Sequence, residues 1–277
     1  MTVIEFHLEK TNKSSKNEPV PPYAILSHRW IQGQEVSYQE FLDGASRNAS
    51  SGPLNLFSTK RKSGYNKIRA ACQQALKDGL RYIWIDTCCI DKGDHDDVVR
   101  NIKSMYAYYQ NAEVCYTYLA DVDGFPSSSF ENSKWFHRGW TLQELLAPSY
   151  VVFFDQAWNR IGSKDELKNE IATVTTIPKD VLSGERPIHD VDPLTRMTWA
   201  VGRETTKPQD QAYCLLGLLG VSIDPDYDED VRMSFERLRT VFVETHPERG
   251  EVEAVEDFYS FLNDRYQSWM DSLKLVC

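Results

Sequence analysis

Residues 81–86 read Arg-Tyr-Ile-Trp-Ile-Asp, a near-continuous apolar run that ends in a carboxylate. A strand with one wet face alternates apolar and polar residues, and a strand covered on both faces does not. RYIWID therefore predicts a central strand of a parallel sheet. Upstream, residues 65–79 put Ile68, Ala71, Cys72, Ala75 and Leu76 on one helical stripe and stop at Gly79. Downstream, Val98, Ile102, Met105, Tyr106 and Tyr109 repeat at helical spacing, and Asp94, Asp96 and Asp97 stand where the helix dipole favours negative charge. Further out, YAILS (23–27, entered through Pro21-Pro22), VCYTYL (114–119) and YVVFFD (150–155) read as strands, with a short helix over 140–146. The order β-α-β-α-β-α-β predicts an α/β fold, a parallel sheet flanked by helices, because parallel strands need crossover connections.

Beyond Asp155 the pattern is helical. DQAYCLLGLL (210–219) is apolar enough for a buried helix, and Val231, Phe235, Leu238 and Phe242 line one face of another. Val255, Phe258, Leu262, Tyr266, Trp269 and Leu273 mark a last amphipathic helix, whose stripe must bury against its own chain or a partner. The expected division is a sheet domain over 1–160 and a helical C-terminal extension over 161–277. Residues 44–64 are rich in Ser, Gly and Asn and read as a loop carrying Lys60-Arg61-Lys62.

A chain of 277 residues with 41% hydrophobic, 26% charged and 12% aromatic residues is of globular type. No apolar run is long enough to span a bilayer, and the first residues carry charges where a signal peptide needs an apolar stretch, so a cytoplasmic location is expected. The net charge of −10 argues against nucleic acid as a partner. Twelve acids between residues 221 and 257 are expected to form a solvated face. Six cysteines without CxxC spacing predict reduced thiols, Cys88 and Cys89 included, and scattered histidines predict no metal site. Asp224-x-Asp226-x-Asp228 resembles the start of a calcium loop, but Glu229 stands where Gly is needed and Phe235 where Glu is needed.

In open sheets, ligands bind beyond the carboxyl ends of the strands. Those ends carry Ser27-His28-Arg29-Trp30, Asp86, Asp121 with Asp123, and Asp155. In Arg138–Leu146 (RGWTLQELL), Glu144 falls about 40° round the helix from Trp140, with the leucines opposite, so one face is expected to pack and the other to present an indole beside a carboxylate. From spacing alone, the favoured reading of Trp140 and Glu144 is a rim tryptophan over the core and a carboxylate in solvent or paired to Arg138.

YAILSHRW, WIDTCCID with the following NIKSMYAYYQNAEV, and RGWTLQELLAP resemble, in order, three signature blocks of the fungal heterokaryon-incompatibility (HET) domain. RMTWAVGRETTKPQDQAYCLLGLLGV is similar to the segment that often follows it. Arg29 and Ile31 depart from the family's SHTWG, and DPDYDED (224–230) from its PLYGEG-like turn. The family is remotely similar to the Toll/interleukin-1 receptor (TIR) fold, a flavodoxin-like sheet, and WTLQEL resembles the TIR helix WCLxEL.

The resemblance implies an effector of fungal non-self recognition and programmed cell death. TIR enzymes cleave NAD with the Glu of that helix, so the implied catalytic residue is Glu144. Ser27, His28, Arg29, Trp30, Asp86 and Trp140 are then the candidate nucleotide-binding residues, with NAD as substrate and no cofactor required. The implied partners are a second copy of the chain or another incompatibility protein. The alternative is a non-enzymatic module that self-associates or pairs with such partners, in which Glu144 is structural.

Overall fold

The computed structural model describes residues 2–3, 20–46, 62–124, 126, 129–247 and 257–274. Among them, six strands form one sheet: β1 Thr2–Val3, β2 Ala24–His28, β3 Tyr82–Trp84, β4 Val114–Tyr118, β5 Val151–Phe154 and β6 Arg160–Ser163. Their spatial order is β1-β3-β2-β4-β5-β6, and every pairing is parallel except β5 with β6. Ile25, Leu26, Ile83, Trp84, Cys115, Val151 and Phe153 are fully buried, as central parallel strands require.

The chain passes from β2 to β3 through the helix Ser63–Lys77, then crosses back over β2 to β4 through the helix His95–Gln110. Right-handed crossovers in opposite directions put these two helices on opposite faces. The order reverses between β2 and β4, which is where such sheets open a crevice. Asp94 caps His95–Gln110 by accepting from the Asp96 and Asp97 amides, the role its position implied.

The α/β fold read from the sequence is the fold observed, with local differences. β1, the antiparallel β6 and the helix Tyr38–Ser46 were not in the expected order. Leu76, placed on the buried stripe, is 53% exposed, because the Ser63–Lys77 face meeting the sheet runs through Ile68, Ala71 and Ala75. The expected helix over 210–219 is two single turns, Asp210–Tyr213 and Leu216–Leu219, that serve different partners. Asp210 accepts from the Tyr227 hydroxyl at 2.8 Å, whereas Gly217 lies so close to Tyr106 of His95–Gln110 that a Cβ would sit 2.2 Å from that ring. Of the loop expected over 44–64, residues 44–46 end a helix, residues 47–61 lie outside the described residues, and Lys62 pairs with Glu40.

In the C-terminal part, Val231–Thr245 buries Phe235, Leu238 and Phe242 as its pattern demands. Phe258–Lys274 buries Phe258, half-buries Leu262 and exposes Tyr266 at 38%, so among the described side chains its stripe sinks at the first turns. Val255 and the side chains of Trp269 and Leu273 lie outside the described residues. The acidic stretch is not solvated throughout: Glu229 accepts from Tyr213, Ser234 and Arg237. The five described cysteines are free, and no helix among the described residues is long and apolar enough to cross a membrane.

Candidate active site at the carboxyl edge of the sheet

Successive side chains of a strand point to opposite faces, so Ser27 and His28 at the end of β2 enter different surroundings. Ser27 faces the helix Thr141–Leu146. Its hydroxyl donates to Glu144 Oε2 at 2.5 Å and accepts from Trp135 Nε1 at 2.8 Å. The helix is fixed at both ends. Thr141 Oγ1 lies 2.7 Å from the Trp135 carbonyl and 2.8 Å from that of Arg138, and the buried Lys164 ammonium donates to the Leu145 and Pro148 carbonyls at 3.1 and 2.8 Å.

This helix has no open face. Glu144 is 8% exposed, with Thr141, Leu142, Gln143 and Leu145 buried around it. The expected indole beside the carboxylate is absent, because Trp140 is half-buried and its indole reaches the Asp210 carboxylate instead. Burial pushes the Glu144 carboxyl up to about 8, and the Asp86 charge adds to this. Hydrogen bonds from Ser27 and Tyr109 and the charge of Arg138 act the other way. At neutral pH the group is mostly protonated, and a cation brought beside it drives it towards the carboxylate.

On the other face, His28 is 6% exposed and both ring nitrogens lack a hydrogen-bond partner. Its Nε2 lies 3.6 Å from Asp86 Oδ1 and 3.9 Å from Glu35 Oε2. Burial, with the charges of Lys67 and Lys92, holds the imidazole well below its usual range, so it is neutral. Asp86 opens the short helix Asp86–Cys89 and accepts from Trp30 Nε1 at 2.6 Å, while its Oδ1 is buried without a partner. Lys67 on the helix Ser63–Lys77 closes the cluster with two contacts to Glu35, at 2.6 and 2.8 Å. Trp30 is the outer wall, 44% exposed, with Lys92 Nζ 3.5 Å from its ring centroid.

Beyond Trp30 a cleft of about 1180 Å³ runs between this edge and the C-terminal part. Arg29, Lys134, Arg138 and Arg203 line it against one carboxylate, Glu204. In a chain of net charge −10, that concentration of cations makes the cleft suited to an anion. Glu144 does not line it.

The structure thus joins Ser27 with Glu144, gathers His28, Trp30 and Asp86 into a second cluster, puts Arg29 and Trp30 on the cleft, and leaves Trp140 apart from all of these. Sequence reasoning missed Trp135, Glu35, Lys67 and Arg203. Only Trp135 carried a signal, as an aromatic just ahead of RGWTLQEL in KWFHRGW. Asp155 and Asp121 hold turns: Asp155 accepts from the Ala157 and Asn159 amides and Asp121 from Ser133 and Lys134. No metal-binding group of three or more His, Cys, Asp or Glu occurs among the described residues.

The central part of this mostly parallel α/β sheet falls in a stretch that is similar to the heterokaryon incompatibility domain. Residues 23–125 match the family described as Heterokaryon incompatibility protein (HET). The chain is 41% identical over 240 residues to Vegetative incompatibility protein HET-E-1 of Podospora anserina, a match covering 83% of this chain and 17% of that much longer protein. No solved structure matches it.

Proposed function

We propose that the chain acts in fungal heterokaryon incompatibility, as an effector of non-self recognition and cell death, by hydrolysing NAD or a related nucleotide at its N-glycosidic bond. The observation that carries this is the buried Glu144 carboxyl on the Ser27 hydroxyl, at the same sheet edge as a cationic cleft that the carboxyl itself does not line. The TIR likeness is supported by the strand order: counted from β2, β3-β2-β4-β5 is 2-1-3-4, the start of the flavodoxin-like order.

Nicotinamide departs as a neutral molecule, so the bond to the ribose breaks with its electron pair going to the ring nitrogen, and positive charge develops on the sugar. A carboxylate there stabilises that charge, as in glycosidases. The cationic ring, arriving first, favours the ionised form of Glu144, whose proton passes to water before the bond breaks. Water then adds to the sugar carbon and releases a proton. Arg29 and Arg138 hold the diphosphate, and Trp30 offers a stacking face. The sheet domain 1–160, a supporting extension 161–277, self-association, a cytoplasmic location and the lack of any required cofactor belong to the same proposal.

Nicotinamide release by the purified chain, at low and high concentration, tests it. Release that vanishes in folded Glu144→Ala is the expected result, and an active Glu144→Ala overturns it. One observation favours the second reading, an interaction module: Glu144 is buried and faces no open cleft. On that reading cell killing survives Glu144→Ala and is lost when Tyr266 and Trp269 are made polar.

A further inference from the structure

The stretch 198–206 is built into the frame of Glu144 and, like Glu144 itself, lies outside the family match, which ends at residue 125. Glu204 bridges the turn that leads into the Thr141–Leu146 helix. Its amide donates to the His137 carbonyl at 2.6 Å, and its carbonyl accepts from the Gly139 amide at 2.9 Å. The approach leaves no room for a side chain at 139, where a Cβ would stand 2.6 Å from Thr205 Cγ2.

Arg203 makes the closer attachment. Its Nη1 donates to the Arg138 carbonyl at 3.0 Å and to Thr141 Oγ1 at 3.1 Å, while its Nε is held by the Trp199 carbonyl at 3.0 Å. From Thr141 the contacts continue through the Trp135 carbonyl, and from the Trp135 indole through Ser27 to Glu144.

We propose that Arg203 is a positioning residue for Glu144, a guanidinium from the C-terminal part that clamps the start of the Thr141–Leu146 helix and holds a positive charge within reach of the carboxyl. The inference rests on the reading of Glu144 as the working carboxyl, and it makes the C-terminal part a component of the site. Burial brings Arg203 down to about 10, and Cys214 first and Glu144 after it pull it back up, in line with that proximity. The other groups that bear on Glu144 are Asp86 at the end of β3, Tyr109 from His95–Gln110, Cys115 from β4 and Arg138 from the preceding turn. None of them makes the clamp.

The test is the titration of the Glu144 carboxyl, followed by carbon-13 NMR of the full chain with the resonance assigned through Glu144→Gln. Arg203→Gln keeps amide donors for the Arg138 carbonyl and Thr141 but loses the charge, and the midpoint is expected to rise by about half to one unit. Arg203→Lys restores the charge and is expected to bring it back. A merely structural arginine would leave the midpoint unmoved, and that result in folded Arg203→Gln overturns the inference. Should Arg203→Gln not fold, Glu144→Gln carries the reciprocal test: the Arg203 Nε–H resonance is expected to shift, and an unchanged one overturns the inference. A moved midpoint with no nicotinamide release from the unaltered chain leaves the clamp standing and removes the hydrolytic reading instead.

Discussion

Ser27 and His28 are neighbours on one strand, yet they close two compartments of opposite kind. On the Ser27 side, the Ser27 hydroxyl and Glu144 Oε2 are held by neutral donors, and the carboxyl is driven up to about 8. On the His28 side, Lys67 and Glu35 are ion-paired, while the imidazole between the charges keeps both nitrogens without partners. The strand pleat separates the two. Burial is the leading influence on the charge state of both Glu144 and His28, and the partners on each side modify it.

The largest effect is expected on the ion-paired side. Lys67→Met leaves Glu35 facing His28 and Asp86 without its ammonium, and breaking a buried pair in this way costs about 3–5 kcal/mol, to be read from urea denaturation. Ser27→Ala comes next, because it strips a partner from both Trp135 Nε1 and Glu144 Oε2 at a cost of about 2–3 kcal/mol. A loss from Ser27→Ala as large as that from Lys67→Met would erase the contrast in stability between the sides.

The third prediction concerns pH. Between the ordinary carboxyl value of 4.5 and the folded value of about 8, the folded chain keeps a proton that the unfolded chain has released. Stability contributed by Glu144 therefore falls as pH rises through that window. Glu144→Gln is expected to flatten the slope, measured as unfolding midpoints at pH 5 and pH 9.

The smallest change is expected from His28→Leu, within about 1 kcal/mol at neutral pH, since no hydrogen bond is lost. The imidazole value is depressed on folding, so below its ordinary 6.5 the unfolded chain takes up the proton first and stability drops with acid. His28→Leu is expected to remove that acid loss while leaving the alkaline slope of Glu144 intact. If it altered both slopes, the two compartments would be one.

The central strands and their crossover helices were legible because local patterns decide them: apolar runs in β2 to β5 and the 3.6-residue stripes of Ser63–Lys77 and His95–Gln110. β6 was not legible, since Arg-Ile-Gly-Ser carries no strand pattern and is recruited by pairing with β5. The break in 210–219 comes with a close approach of Gly217 to Tyr106 that no local rule contains. At the site, Ser27 and Asp86 were legible from their places at strand ends, and Glu144 from the RGWTLQELL helix. Their partners were not, because Ser27 meets Trp135 across 108 positions and Glu144 across 117. The orientation of Trp140 failed for a related reason: helical geometry placed it near Glu144, and Asp210 drew its indole away.

The bridge between Glu204 and the His137–Gly139 turn also sets a timetable for synthesis. Every strand of the sheet has left the ribosome once residue 163 is out, yet the turn that seats Glu144 lacks its partner until some forty residues later. During that interval the polypeptide has its strands but not the partner of the turn ahead of the Thr141–Leu146 helix, so the chain is made in an order that finishes the strands before the bridge to Glu204 can form.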